Sequence, residues 1–308
     1  MPADRDGVLV VGSINADVTA YSRRLPQPGE TFAGDAFELG LGGKGANQAV
    51  AVAKAGAPAH MVGCVGDDAF GTLVLSALEA HGVGLRHVQR LEGAHTGIAH
   101  IRVAGGENDI VIVAGANAAL EEARLDAAFA ALGDRVAVLL TQLETPLETT
   151  VGAVRRAHEA GIAVILDPAP ARALPDDLWP FVDVIKPNET EAALLTGIAV
   201  DSPESAARAG RWFLERGARA AVVTMAGAGS VLVTAEGASE HPPLRVDAVD
   251  STAAGDAFAG HLAASIAAGG SLVEAVQRAT AAGAVTVTRR GASASIASAA
   301  EVDELLGG

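Results

Sequence analysis

VAVLLTQLETPLETTVGAVRRAHEAGIAVIL, residues 136–166, decides the fold. It opens on an unbroken apolar run (136–140), short enough for a strand buried on both faces. A helical pattern occupies residues 147–160, and a second apolar run follows at 163–166. The same alternation recurs outward from this stretch. Strand-like runs lie at 8–11, 182–185 and 220–224, and helical patterns at 46–54, 70–81, 125–132 and 205–216. Two longer helical stretches close the chain, at 255–268 and 272–287. Strands alternating with helices predict an α/β fold: a mostly parallel central sheet with helices on both faces.

Two regions break the alternation. Residues 17–39 carry Pro26, Pro28, Gly29 and Gly34 among short strand-like pieces, and residues 96–113 read as two strands joined at Gly105-Gly106. Neither is large enough to be a separate domain, so residues 1–308 read as one α/β domain with a small β layer over the mouth of its sheet. That layer comprises about residues 15–40 and 96–113.

Composition narrows the function classes. Half of the residues are apolar, yet aromatics make up only 3%, so the core must be packed from small side chains at close element spacing. A formal charge of −15 argues against nucleic acid or an anionic membrane as partner, since no basic excess exists to displace counterions. The single cysteine, Cys64, sits in an apolar run and reads as a buried structural thiol. The first six residues lack a basic segment leading into an apolar one, and no run reaches membrane-spanning length. A soluble cytoplasmic protein is expected.

Asp250-Ser-Thr-Ala-Ala-Gly255-Asp256-Ala-Phe-Ala-Gly260 puts a lone carboxylate between small residues and a long apolar helical pattern. Such a turn aims unpaired backbone N–H groups at one point, where the helix dipole adds positive charge. The N–H groups of Ala253, Ala254 and Gly255 could hold phosphate oxygens. The same field should keep Asp256 ionised, ready to take a proton from an attacking hydroxyl. Gly-Asp is equally an ordinary turn and helix-cap pair. Gly40-Leu-Gly-Gly-Lys-Gly45 matches a dinucleotide fingerprint in form, but it does not follow the first strand directly. It is not a P-loop either: Glu38 replaces the first glycine and Gly45 the Ser or Thr. Asn15 and Asp17 share one face of an extended segment and could grip adjacent hydroxyls, or simply mark a solvated strand end. Asn188, after Pro187, is a good helix N-cap.

Together these motifs resemble the ribokinase family of carbohydrate kinases. The resemblance rests on Gly12-Ser-Ile-Asn-Ala-Asp17, Gly42-Gly-Lys-Gly-Ala-Asn-Gln-Ala49 and Asp250 to Gly260. Gln142-Leu-Glu-Thr-Pro146, Asp167-Pro-Ala-Pro-Ala171 and Pro187-Asn-Glu-Thr-Glu191 lie between them in the family's order. It implies phosphorylation of D-ribose at O5 by ATP with Mg²⁺, Asp256 acting as base. A relative acting on 2-deoxyribose or a nucleoside is the alternative; a sugar sensor and a nicotinamide oxidoreductase are remoter ones. Sugar contacts are implied for Asn15, Asp17, Gly42, Gly43, Lys44, Asn47 and Glu144. Nucleotide and metal-water contacts fall on Asn188 and Glu191, and nucleotide contacts on Thr224, Gly227, Gly229, Gly255 and Thr280. The sequence departs from the family at Ala226, where glycine is common, and at Thr280, where some relatives have histidine. A K⁺ site is implied at Asp250, Thr252, Thr286, Arg289, Gly291 and Ser295. The β layer corresponds to the family's lid, which implies closure over the sugar and a homodimer.

Overall fold

The computed structural model describes residues 5–105 and 107–307. The chain enters through β1 (Gly7–Val11), every residue of which is buried. Val8 and Val10 join one apolar cluster and Leu9 and Val11 the other, the alternation of a strand covered on both faces. A first excursion makes β2 (Asn15–Ser22) and β3 (Ala36–Gly42). The chain returns through α1 (Lys44–Lys54), β4 (Ala59–Gly66), α2 (Ala69–Ala80) and β5 (Gly84–Leu91). A second excursion makes β6 (Gly97–Ala104) and β7 (Glu107–Val113). Strands and helices then follow as α3 (Glu122–Leu132), β8 (Val136–Thr141), α4 (Leu147–Glu159), β9 (Ala163–Leu166) and β10 (Val184–Ile185). Next come α5 (Glu189–Thr196), α6 (Pro203–Leu214), β11 (Ala220–Thr224), β12 (Ser230–Thr234) and β13 (Gly237–His241). Three helices end the chain: α7 (Ala254–Ala267), α8 (Leu272–Thr286) and α9 (Ala299–Gly307).

The main sheet has nine strands in the order β13-β12-β11-β10-β9-β8-β1-β4-β5. Neighbours from β11 to β5 are parallel, while β12 and β13 are antiparallel additions at one edge. The stretch 136–166 is β8, α4 and β9, with the two strands paired in parallel. Strand order grows outward from β1 in both directions. Winding therefore reverses between β1 and β8, and ligands bind outside the carboxyl ends of such a pair. The lid is a separate sheet, β3-β2-β6-β7, in which β2 and β6 are parallel and the outer pairs antiparallel. Ala104 pairs with Glu107 as a hairpin at Gly105-Gly106 requires, although Gly106 lies outside the described residues.

Two expectations need correction. The run 182–185 yields a strand only at Val184–Ile185, because Val182 ends a 3₁₀ turn over Asp176–Phe181. The β12–β13 hairpin and α9 correspond to no run read from the sequence; β13 reads Gly-Ala-Ser-Glu-His and is mostly exposed, without apolar alternation.

Small residues set the helix spacing. A Cβ at Gly260 of α7 would overlap the Ala51 methyl of α1 and come within 2.9 Å of the Gln48 carbonyl oxygen. Glycine there lets the two backbones nearly touch, and that contact lies one turn beyond Asp256.

Candidate active site

The amino-terminal wall of the site is built where β1 hands over to the lid. Asn15 and Asp17 lie two residues apart on β2, opposite Gly42 and Gly40 of β3, so both face the same way. The amide of Asn15 is oriented by Asn117: its Oδ1 accepts from Asn117 Nδ2 at 2.7 Å. Asn117 is itself locked by the Ile14 backbone, accepting at 2.8 Å and donating at 3.0 Å. Asn15 therefore turns its N–H₂ group elsewhere, as a donor to a ligand oxygen. Asp17 packs against the backbone of Gly42 so closely that a Cβ there would collide with its carboxylate. Burial, Glu144 and Asp256 raise its pKa to about 7.

Gly43, at φ 87°, turns the chain into α1, a conformation that favours glycine. Glu144, just past β8, meets that turn: its Oε2 accepts from Ser13 Oγ at 2.5 Å and from the Lys44 N–H at 3.0 Å. An acid at a helix N-terminus is favoured by the dipole. Burial alone would lower Lys44, but Asp256, Asp167, Glu144 and Glu191 outweigh it and hold the ammonium above the usual lysine range.

Asp256 enters from the opposite side, in the first turn of α7, and is only 6% exposed. Its carboxylate accepts from Asn47 Nδ2 at 3.1 Å and from Gln48 Nε2 at 3.0 Å, both side chains of α1. Asn47 Oδ1, buried, has no partner among the described residues, leaving an acceptor for a hydroxyl. The helix field does not dominate Asp256 as the sequence suggested. Burial raises its pKa; Lys44 opposes this, Asp167 adds to it, and the amides of Gln48 and Asn47 oppose it, with a net rise. A carboxylate so raised is better matched to proton abstraction near neutrality. Ahead of it, Ala253 takes a left-handed conformation at φ 60°, costing about 1–2 kcal/mol for a non-glycine residue. The Ala254 N–H closes a turn onto the Ser251 carbonyl at 3.2 Å. Among the described residues, nothing accepts the Ala253 and Gly255 N–H groups, so these two remain to hold an anion.

A polar wall, a buried carboxylate and a turn strained at Ala253 thus converge from segments more than 200 residues apart. The pfkB carbohydrate-kinase family pattern matches residues 5–299. The chain belongs to the pfkB family of carbohydrate kinases. It is 40% identical over 306 residues to the ribokinase of Haemophilus influenzae, covering 98% of this chain and 99% of that one. It is 36% identical to the deoxyribokinase of Salmonella typhi, over 97% of this chain and 98% of that one. The structure of Arabidopsis thaliana ribokinase complexed with ribose and ATP superposes with a TM-score of 0.91 at 31% identity, covering 98% and 99% of the two chains.

In this pfkB kinase five of the residues read as nucleotide contacts fall at or past the ends of β10 and β11, while Gly255 lies in the first turn of α7 and Thr280 within α8. Asn188 and Glu191 form a reciprocal capping box at the start of α5: Asn188 Oδ1 accepts from the Glu191 N–H at 2.8 Å, and Glu191 Oε2 from the Asn188 N–H at 2.9 Å. The cap reading of Asn188 holds, and it leaves Glu191 Oε1 outside the box. Thr224 bridges to Asn188 in parallel, joining that cap to the loop Ala226–Gly229. Ala226 adopts a positive φ of 42° despite its methyl group. Gly227 has open space around it, and Gly229 is tied by the Ala226 and Met225 backbones. Thr280 turns its hydroxyl onto the Val276 carbonyl of its own helix at 2.8 Å.

The expected K⁺ residues separate into two groups. Asp250 accepts from the Thr252 N–H (2.9 Å) and hydroxyl (2.6 Å), and from the Gly291 N–H at 3.0 Å. Ser295 braces that turn by donating to the Gly291 carbonyl at 2.6 Å. The side chains of Thr286 and Arg289 are engaged elsewhere, Thr286 Oγ1 donating to the Ala282 carbonyl at 2.7 Å and Arg289 pairing with Glu301 of α9.

Several residues at the site were quoted within sequence motifs without a role. Ser13, Gln48, Gln142 and Asp167 belong here, and Asn117 and Lys186 were not singled out. Lys186 Nζ lies 3.2 Å from Asp167 Oδ1 and 3.5 Å from the Gly255 carbonyl, beneath the glycine turn. A lysine directly after the strand-like run 182–185 and before Pro187-Asn188 was the available signal, since lysine is almost never buried unpaired.

Proposed function

We propose that this kinase transfers the γ-phosphoryl group of ATP to the 5-hydroxyl of D-ribose, giving D-ribose 5-phosphate and ADP. The observation that carries the reading is the clasp of Asp256 by Asn47 and Gln48, side chains of the helix whose first turn meets Glu144. One helix thus joins the sugar wall to the base. The ribokinase relatives, one of them complexed with ribose and ATP, support the choice of sugar and donor. Asp256 takes the hydroxyl proton. Because the phosphoryl group moves through a loose transition state, most of the rate comes from positioning and charge stabilisation. The free N–H groups of Ala253 and Gly255, with Lys186 behind them, stabilise charge developing on the phosphoryl oxygens.

Among the described residues no group of three or more His, Cys, Asp or Glu could hold a metal ion. That fits Mg²⁺, which keeps several waters and binds largely through phosphates. Asn188 and Glu191 would hold its water shell, and the ion would offset phosphate charge. For K⁺, the turn of Asp250, Thr252, Gly291 and Ser295 supports a site, which Thr286 and Arg289 would join through their backbone carbonyls. Velocity unchanged when K⁺ is replaced by a large organic cation would remove it. Among the described residues no helix is long and apolar enough to cross a membrane. Because the reaction consumes ATP, we assign the enzyme to the cytoplasm, and we expect a homodimer through the lid.

A second reading, 2-deoxyribose as the sugar, is favoured by the deoxyribokinase relative. Coupled ADP release with ribose, 2-deoxyribose and adenosine decides between them. We expect kcat/KM for ribose to exceed the others by about tenfold or more, the worth of one hydroxyl contact to a polar site. ADP release that ribose does not stimulate would end the proposal.

A further inference from the structure

Behind Asp256 lies a second buried acid that the transfer itself does not use. Asp167, 1% exposed, pairs with Lys186 at 3.2 Å. Gln48 stands between the two acids and is completely buried. Its Nε2 is 3.0 Å from Asp256 Oδ1 and 2.7 Å from Asp167 Oδ2, while its Oε1 accepts from Gln142 Nε2 at 2.6 Å. An amide nitrogen carries two protons, so it serves both carboxylates at once. Flipping the amide would set its oxygen against two carboxylates and its N–H₂ group against that of Gln142. Only one orientation is therefore stable, and Gln142 locks it.

We infer that Gln48 is a positioning residue for phosphoryl transfer: its amide fixes the Asp256 carboxylate and separates it from the Asp167–Lys186 pair. The inference rests on the reading of Asp256 as the base. The charges facing Asp256 are Lys44 at the start of α1, Asp167 past β9 and Asp17 of the lid, with Lys186, past β10, paired to Asp167. Glu144, past β8, faces the same Lys44 and Asp17. Without Gln48, Asp256 would keep only Asn47 as donor and would meet Asp167 unscreened. Misplacing a reacting group by about 1 Å costs on the order of 10²-fold in rate.

The test is Gln48→Met, which keeps the length of the side chain and removes its donors. We expect kcat to fall about 10²-fold, with KM for ribose changed by no more than about threefold. The acidic limb of the kcat–pH profile should move to higher pH, because a hydrogen bond to the charged form is lost. In the Asp256→Asn background the same change should cost little more, as expected for two groups acting as one unit. A wild-type kcat and pH limb in Gln48→Met, or losses that multiply in the double variant, would overturn the inference. Should Gln48→Met fail to fold, Gln142→Met releases the amide from one bond further away. It should give a smaller loss with the limb displaced the same way, and an unchanged profile there also overturns the inference. Full activity in Asp256→Asn would refute the base; an inert Asp256→Asn beside an unaffected Gln48→Met refutes only the positioning role.

Discussion

At the scale of single residues, two carboxylates separate by environment into two tasks. Asp256→Asn keeps the shape of the clasp and removes the proton acceptor, so kcat should fall by about 10²-fold or more while ribose still binds. Isothermal titration beside turnover measurements checks both halves, and an active variant contradicts the assignment. Asp17, in its proposed role as a sugar contact, is the pH-sensitive one. With its pKa raised to about 7 by burial and by Glu144 and Asp256, the free enzyme protonates it as pH falls through neutrality, and a protonated acid accepts less well from a sugar hydroxyl. kcat/KM for ribose, which reports free-enzyme groups, should therefore decline below about pH 7, and Asp17→Asn should remove that limb. A flat wild-type profile between about pH 6 and 8 would refute it. The carboxylates themselves were legible in the sequence, because Asp256 follows a glycine turn and Asn15 and Asp17 alternate. What fixes them was not. Gln48 and Asn117 act through contacts with segments about 100 to 210 residues away, and no local pattern encodes which acid an amide will meet.

At the scale of elements, activity depends on how closely α1 and α7 approach. Gly260→Val would drive a branched side chain into Ala51 and the Gln48 carbonyl. Overpacking of this kind costs about 1–3 kcal/mol, and the shift would carry Asn47 and Gln48 away from Asp256. Thermal unfolding should show the loss of stability, and kcat should drop further than the small fraction of unfolded protein explains. A variant that melts as wild type and turns over normally would show that the spacing is not set there. The sequence revealed these helices and the parallel strands because unbroken apolar runs and 3.6-residue patterns are local signals. Glu144, just past β8, came only with the family resemblance, since no local pattern distinguishes it from a surface loop acid. The sequence could not reveal β13, whose polar residues lack apolar alternation and pair with β12 at the sheet edge, nor the Gly260 contact, since a glycine within a helix pattern looks the same wherever it faces.

At the scale of the whole molecule, the lid is a sheet with too little cover. β7 is an edge strand, and Ile110, Val111, Ile112 and Val113 are 50 to 56% exposed. The register puts Ile112 opposite Ala99, and Ala99 opposite Asp17, so one apolar strip continues the side of the lid that carries Asp17. Ile110 and Ile101 extend it. An exposed apolar edge strand is a site for association unless it is covered, and a second copy of the same lid would cover it symmetrically. Burying each isoleucine would contribute about 1.5–3 kcal/mol. I110E and I112E together should therefore convert a dimer into a monomer in sedimentation equilibrium at tens of micromolar, about the range in which loss of such burial tips association. They should also raise KM for ribose, because the strip borders Asp17, while leaving Asp256 and its clasp intact. A wild-type enzyme that sediments as a monomer, or a double variant that remains dimeric, would mean that this face stays in water and that the lid closes over the sugar alone.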